Sequence, residues 1–240
     1  MGEEHKEELA ERLKRVQDTI YSTAVKSGRE PDQIQLVVVT KEKSAVVAKE
    51  LTELGISQIG ESYLKEAFFK MDLLQDYDIS WHMIGSIQSG KARQVAGSFD
   101  AVHSVDRLDL AKKLAEGAEA AGRTLPIFLE CNVSAEDTKI GWEAWEEDSW
   151  DELAKALSPV FALDQLRFLG LMTMAPYFEE PERSRPYFQR LRRLSEYLRK
   201  QFPEHLQGGL SMGMSADYQI AIQEGATHLR IGSRIVGPRR

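Results

Sequence analysis

One lysine closes an apolar run, Ile34-Gln-Leu-Val-Val-Val-Thr-Lys41. Read as a strand, the run puts Lys41 on the same face as Val37 and Val39, because side chains alternate. If that face is dry, burial lowers the amine's proton affinity and exposes a nucleophile able to condense with a carbonyl. The same spacing fits a lysine whose stem lies on apolar surface while its head reaches water. Two further runs end in glycine and hydroxyls, Ser211-Met-Gly-Met-Ser215 and Arg230-Ile-Gly-Ser233. Glycine lets a backbone approach an anion, and N–H groups and serine hydroxyls donate to it. The same residues also serve ordinary turns. Arg230 shares a face with His228 and Gly232, and a cation facing a dry interior needs a partner. Glu61 or Glu130 could pair with it, or a ligand nitrogen kept unprotonated beside a permanent positive charge.

Other polar residues fall near strand ends. His82 and His103 could touch a ligand or hydrogen-bond within the core. Glu130 and Asn132 share a strand face, where a core polar network is the plainer reading. Met172, Met174, Met212 and Met214 suit either a ligand rim or adaptable packing. The single cysteine and the lack of a histidine pair near a glutamate give no metal-site spacing.

The elements that would position these groups alternate. Strand-like runs cover 34–41, 58–62, 81–86, 101–105, 126–133, 166–174, 208–213 and 228–233. Amphipathic stretches lie between them, at 44–54, 63–74, 107–121, 150–161 and 182–201, with shorter ones at 88–96 and 216–224. Alternation of this kind predicts a parallel sheet, and eight repeats predict a closed TIM-type (β/α)8 barrel, whose reactive groups sit at the C-terminal strand ends. A first helix over about 4–27 carries Leu9, Leu13, Val16 and Ile20 on one stripe. Only seven residues follow Ser233, short of an average helix of about 11. The first helix is therefore expected to cover the gap left by a missing eighth helix. One domain over 1–240 is expected, with the acidic stretch 143–148 as a solvated loop and helix start.

Bulk properties narrow the function classes. At 240 residues, 29% charged and net charge −7, the chain reads as soluble and acidic, against a general nucleic-acid binder. The arginine-rich helix near 183–200 reads as a solvated outer helix. Cys131 alone allows no internal disulfide. Neither an apolar signal core nor a membrane-spanning run is present, so no membrane partner and a cytoplasmic location are expected.

Taken together, these residues resemble the pyridoxal phosphate homeostasis proteins, a family with the barrel of the alanine racemase N-terminal domain. The resemblance runs from about residue 34 to 237, through Val37-Val-Val-Thr-Lys41, Ile59-Gly-Glu-Ser-Tyr63, Trp81-His-Met-Ile-Gly85, Gln88-Ser-Gly-Lys91, His103-Ser-Val-Asp-Arg107, Gly170-Leu-Met-Thr-Met174, Leu210-Ser-Met-Gly-Met-Ser215 and Arg230-Ile-Gly-Ser233. It implies a pyridoxal 5'-phosphate cofactor held as a Schiff base on Lys41. It implies phosphate contacts from Ser211, the Met212 backbone, Gly232 and Ser233, and Arg230 facing the pyridine nitrogen. Ser62, His82 and Met172 complete the expected cofactor contacts. The family's usual asparagine is replaced here by Ser62, so the contact to the cofactor's phenolic oxygen is lost or bridged by water. Lys139 and Gly141 match a family Lys-x-Gly segment.

The expected role is a carrier or regulator in vitamin B6 homeostasis rather than an enzyme, with pyridoxal phosphate as ligand and apo enzymes that use it as partners. Racemases of this resemblance take a second acid/base from an added domain across a dimer. No such domain is read here, which favours a monomer without robust catalysis. The alternative is a weak racemase or lyase with His82, Tyr63 or Tyr177 as a base opposite Lys41. A third reading is a phosphate-ligand barrel without imine chemistry.

Overall fold

Strands β1 (Gln35–Val39), β2 (Gln58–Glu61), β3 (Ser80–Met83), β4 (Ala101–Val105), β5 (Leu125–Asn132), β7 (Leu166–Met172), β8 (Gly209–Ser211) and β9 (His228–Ile231) pair in parallel, each with the next. β1 also pairs with β9, with Val37 beside Arg230, so the sheet closes as the alternation predicts. A two-residue strand β6 (Trp142–Glu143) is added outside the ring on Cys131 and Asn132 of β5. The computed structural model describes residues 2–136 and 139–238.

The helices are α1 (Gly2–Lys26), α2 (Ala45–Glu53), α3 (Leu64–Leu73), α4 (Ala92–Ser98), α5 (Leu108–Ala120), α6 (Trp150–Phe161), α7 (Arg185–Gln201), α8 (Tyr218–Gln223) and α9 (Ser233–Val236). β1 shows why the strands are strands. Val37, Val38 and Val39 are all buried, as a parallel strand covered on both faces requires, and β-branched side chains suit that surface. Val38, Ile59, Val102 and Leu129 join the layer between barrel and helices. Each such large apolar side chain contributes roughly 1.5–3 kcal/mol by leaving water.

α1 buries Leu9, Leu13, Val16, Ile20 and Ala24 and packs on α8 and on α9. Its polar flank reaches α2 through Lys6–Glu53 at 2.5 Å and His5–Glu50 at 3.2 Å. Beyond its end, Arg29 donates to the carbonyls of Ile222 and Ala226 at 2.8 and 2.7 Å. Three arginines of α7 are engaged by the protein's own acids, Arg185 and Arg192 with Glu224 and Arg193 with Glu147. Among the described residues no helix is long and apolar enough to cross a membrane.

The strands end earlier than the sequence pattern predicts. The regular strands end at Val39, Glu61, Met83, Met172, Ser211 and Ile231, one to three residues before the ends read from composition. Single inter-strand bonds carry the pairing slightly further, as Thr40 N–H to the Gly60 carbonyl and Met212 N–H to the His228 carbonyl, and the residues beyond them form the rim of the barrel.

Candidate functional site at the barrel mouth

Lys41 lies two residues beyond β1 and is partly buried. Its side chain borders a cavity of about 430 Å³, with Ser62, Tyr63, Gly85, Glu130, Asn132 and Thr173 among the other walls. Around the ring β1 and β5 stand opposite one another, so Lys41 and Glu130 face the cavity from opposite sides. Glu42, directly after Lys41, takes a left-handed backbone with φ 63°, sparsely populated for a non-glycine residue.

Arg230 is 4% exposed. Its Nη1 donates to the Ser211 hydroxyl at 2.6 Å and its Nη2 to the Thr173 carbonyl at 2.9 Å. Burial lowers its proton affinity to about 10, against the pull of Glu130 and Asp217, so it remains a cation at neutral pH. Neither glutamate offered by the sequence forms an ion pair with it among the described residues. Glu61 turns away to Lys70 at 2.6 Å. Glu130 stays in the cavity wall, its carboxyl pushed up to about 7 by burial first and then by Asp106, with Arg230 opposing.

The Ser211 hydroxyl also meets His103 Nδ1 at 2.7 Å, His103 Nε2 meets His82 Nδ1 at 2.9 Å, and His82 Nε2 meets the Ser80 hydroxyl at 3.3 Å. Arginine can only donate. With Arg230 donating to Ser211, one consistent direction runs from Ser211 to His103, to His82, to Ser80. Burial holds all three interior histidines neutral: His82 and His228 down to about 4, and His103 well below its ordinary range.

This network relocates several expected contacts. His82 is two residues into β3 and borders an opening at the opposite end of the barrel, with Gln35, Gln58, Ser80 and His228; it is not at the mouth. The mouth residues of that segment are Ile84, Gly85 and Ser86. The Ser211 hydroxyl is fully buried and committed to Arg230 and His103. The Met212 N–H donates to the His228 carbonyl at 3.1 Å and its side chain is fully buried. Met172 is likewise buried, beside Glu130 and Ser211 in the strand register, while Thr173 and Met174 border the cavity. Of the bases considered, Tyr63 borders the cavity; Tyr177 is 82% exposed and lines a different hollow.

The glycine-hydroxyl ends of β8 and β9 do come together. Arg234 N–H reaches the Ser215 hydroxyl at 3.4 Å and its Nε donates to the Ser215 carbonyl at 2.8 Å. Gly213 makes the turn that permits this: its φ is 91°, and an added Cβ would lie 2.6 Å from Ala221 Cβ. Among the described residues the backbone N–H groups of Ser215, Ala216, Gly232 and Ser233 donate to no backbone carbonyl. Four such donors on two adjoining loops suit an anion with several oxygens. Gly232 and Ser233 are in the motif read from the sequence; Ser215 closes the other motif and Ala216 follows it, and neither was singled out as a donor. Ser62 borders the cavity as expected, and so does Lys139. No group of three or more histidine, cysteine or carboxylate side chains able to hold a metal occurs among the described residues.

Comparison with known proteins agrees with this architecture. Residues 23–240 match the family described as alanine racemase, N-terminal domain. The pyridoxal phosphate homeostasis protein of Aquifex aeolicus is 35% identical over 96% of this chain and 98% of its own. That of Pseudomonas aeruginosa is 38% identical over 96% of each. The structure of PipY from Synechococcus elongatus with PLP bound is 32% identical, superposes with a TM-score of 0.80, and is covered in full by 95% of this chain.

Proposed function

We propose a function on the premise that this chain belongs to the family of pyridoxal phosphate homeostasis proteins: it binds pyridoxal 5'-phosphate reversibly through Lys41 and serves the intracellular supply of that cofactor. The observation that carries this is that Lys41, on the wall of the mouth cavity, shares the C-terminal rim of the barrel with two loops whose backbone N–H groups donate to no backbone carbonyl among the described residues. The fit is chemical as well as spatial. When bound, the cofactor supplies an aldehyde that condenses with a primary amine. Ser215, Ala216, Gly232 and Ser233 would hold its phosphate by backbone N–H donation. Arg230, fixed by Ser211 and Thr173, would face the ring nitrogen and, already a cation, would keep that nitrogen unprotonated. This weakens the electron sink that catalysis needs and favours holding over turnover. Ser62 would stand near the phenolic oxygen, through water where its side chain is too short.

The described chain serves as one cofactor-binding unit, working as a monomer in the cytoplasm and handing the cofactor to apo enzymes. The test is borohydride reduction after loading, followed by peptide mass spectrometry. A cofactor adduct on Lys41 is expected; an adduct elsewhere, or none, rejects the reading. A second reading, a weak racemase or lyase, is favoured by one observation: Glu130 faces the cavity opposite Lys41 with a carboxyl near 7, where a general acid/base works best at neutral pH. Incubation with single amino-acid enantiomers decides between them. Turnover that survives purification and vanishes in Lys41→Ala would replace the carrier reading.

A further inference from the structure

Behind the wall that carries Lys41 lies a second lysine. Lys70 of α3 is 1% exposed. Its ammonium donates to the Thr40 carbonyl at 2.7 Å, to Glu61 Oε1 at 2.6 Å and to Glu66 Oε1 at 2.6 Å. Three donors meet three acceptors, so its hydrogen-bonding capacity is used up. The Thr40 hydroxyl donates to the same Glu61 oxygen at 2.5 Å. The Thr40 N–H donates to the Gly60 carbonyl at 3.1 Å, and the Thr40 carbonyl also accepts the Lys43 N–H at 3.0 Å. Every polar group of Thr40 is thereby held.

Thr40 precedes Lys41, and alternation turns the two side chains to opposite sides of the wall. Thr40 faces α3 and Lys41 faces the cavity. The next residue, Glu42, has the left-handed backbone already described, a conformation that persists only where its surroundings impose it. The ion pair behind it is a poor device for stability alone. Replacing a buried pair with apolar side chains is often neutral or favourable. Here one carboxylate oxygen, Glu61 Oε2, is buried without a hydrogen-bond partner.

We propose that Lys70 is a positioning residue for Lys41: with Glu61 it clamps the 40–43 turn from behind and so aims the Lys41 amine into the cavity. The proposal rests on the reading of Lys41 as the attachment point. Lys70 is too deeply enclosed to meet the cofactor itself, and its effect passes through Thr40.

The test removes both charges together, as Glu61→Leu with Lys70→Met, leaving no buried charge of the pair unmatched. In the cofactor-free protein, amide exchange at Lys43 is followed by NMR, with Val38 as a control for the strand. Lys43 is expected to exchange at least tenfold faster and Val38 at its original rate. Borohydride-trapped labelling of Lys41 by pyridoxal phosphate is expected to be at least tenfold slower. Unchanged Lys43 exchange, or an unchanged labelling rate, overturns the proposal. Should the double variant not fold, Thr40→Val removes the hydroxyl arm alone. Lys43 exchange at least threefold faster is then expected, and an unchanged rate overturns the proposal. Failure of the Lys41 reading looks different: the parent protein itself gives no adduct, whatever Lys43 does.

Discussion

In the lower half of the barrel His82, His103, Phe128 and His228 fill the interior with rings, His103 and His228 lying 4.6 and 4.8 Å from Phe128 between centroids. At the upper end the same strands leave a cavity of about 430 Å³ bordered by Lys41, Ser62, Glu130 and Thr173. Both ends are rich in residue types that could do chemistry. They differ in what is left over. Below, the His103 nitrogens are spent on protein partners, and burial keeps the imidazoles neutral. Above, Lys41 and Glu130 border one cavity, and four backbone N–H groups of the rim donate to no backbone carbonyl among the described residues. A histidine inside a barrel is therefore weaker evidence of function here than an amide past the end of a ladder.

The largest expected effect separates the two ends most sharply. Lys41→Ala is expected to reduce trapped cofactor labelling by at least about 100-fold, while stability moves by no more than about 1 kcal/mol, the usual scale of a single substitution. Mass spectrometry and a thermal melt read the two quantities. A large loss of stability would show that Lys41 belongs to the structural half after all. The converse substitution, His103→Ala, removes a fully buried ring and is expected to cost about 3 kcal/mol. That corresponds to a melting point lower by about 6–12 °C for a chain of this length, with Lys41 still labelled. A stable His103→Ala protein that cannot be labelled would make the interior relay part of the site.

Gly85→Ala acts on the seam of the mouth. Its Cβ would lie 2.4 Å from the Ser62 carbonyl oxygen, so backbone must move, at about 2 kcal/mol. Cofactor affinity is expected to fall severalfold, as equilibrium dialysis would read. Unaltered affinity would remove Ser62 from the site.

The smallest effect is a pH dependence. The Glu130 carboxyl is raised in the folded protein to about 7 from an ordinary value of 4.5. Between those values the folded state holds the proton more tightly than the unfolded chain, so its contribution to stability is full below 4.5 and is lost as pH rises through 7. Glu130→Gln is thus expected to match the parent protein near pH 4 and to exceed it by about 1–2 kcal/mol at pH 8. Urea titrations at the two pH values check this. An advantage largest at pH 4 would reverse the assigned sign.

Much of the fold was legible from periodicity. All eight barrel strands fall within the predicted runs or a residue of them, because apolar side chains on both faces of a parallel strand leave a dense local signal. Lys41, Gly232 and Ser233 stand out as candidates because they close such runs, and Arg230 because a cation within one needs a partner. The Met212 N–H is committed because pairing runs past the regular strand to the His228 carbonyl. His82 is the second residue of the run 81–86, so it lies near the start of its strand and borders the opposite end of the barrel. Lys70 was invisible: a lysine on an amphipathic stretch reads as exposed, and only the approach of α3 to Thr40 and Glu61 buries it.

By itself, the sequence determined the alternation of strands and helices, and with it which strand ends share one rim. It also placed a lysine, an arginine and two glycine-hydroxyl segments at those ends. The tertiary structure alone decided which of their polar groups remain available. A donor becomes spare only after every ladder bond, interior contact and ion pair has formed, and those partners come from segments far apart in the chain. That is why the Ser211 hydroxyl is used up while the Ser215 N–H is not. It is also why Glu61 left Arg230 to hold the Thr40 turn behind Lys41.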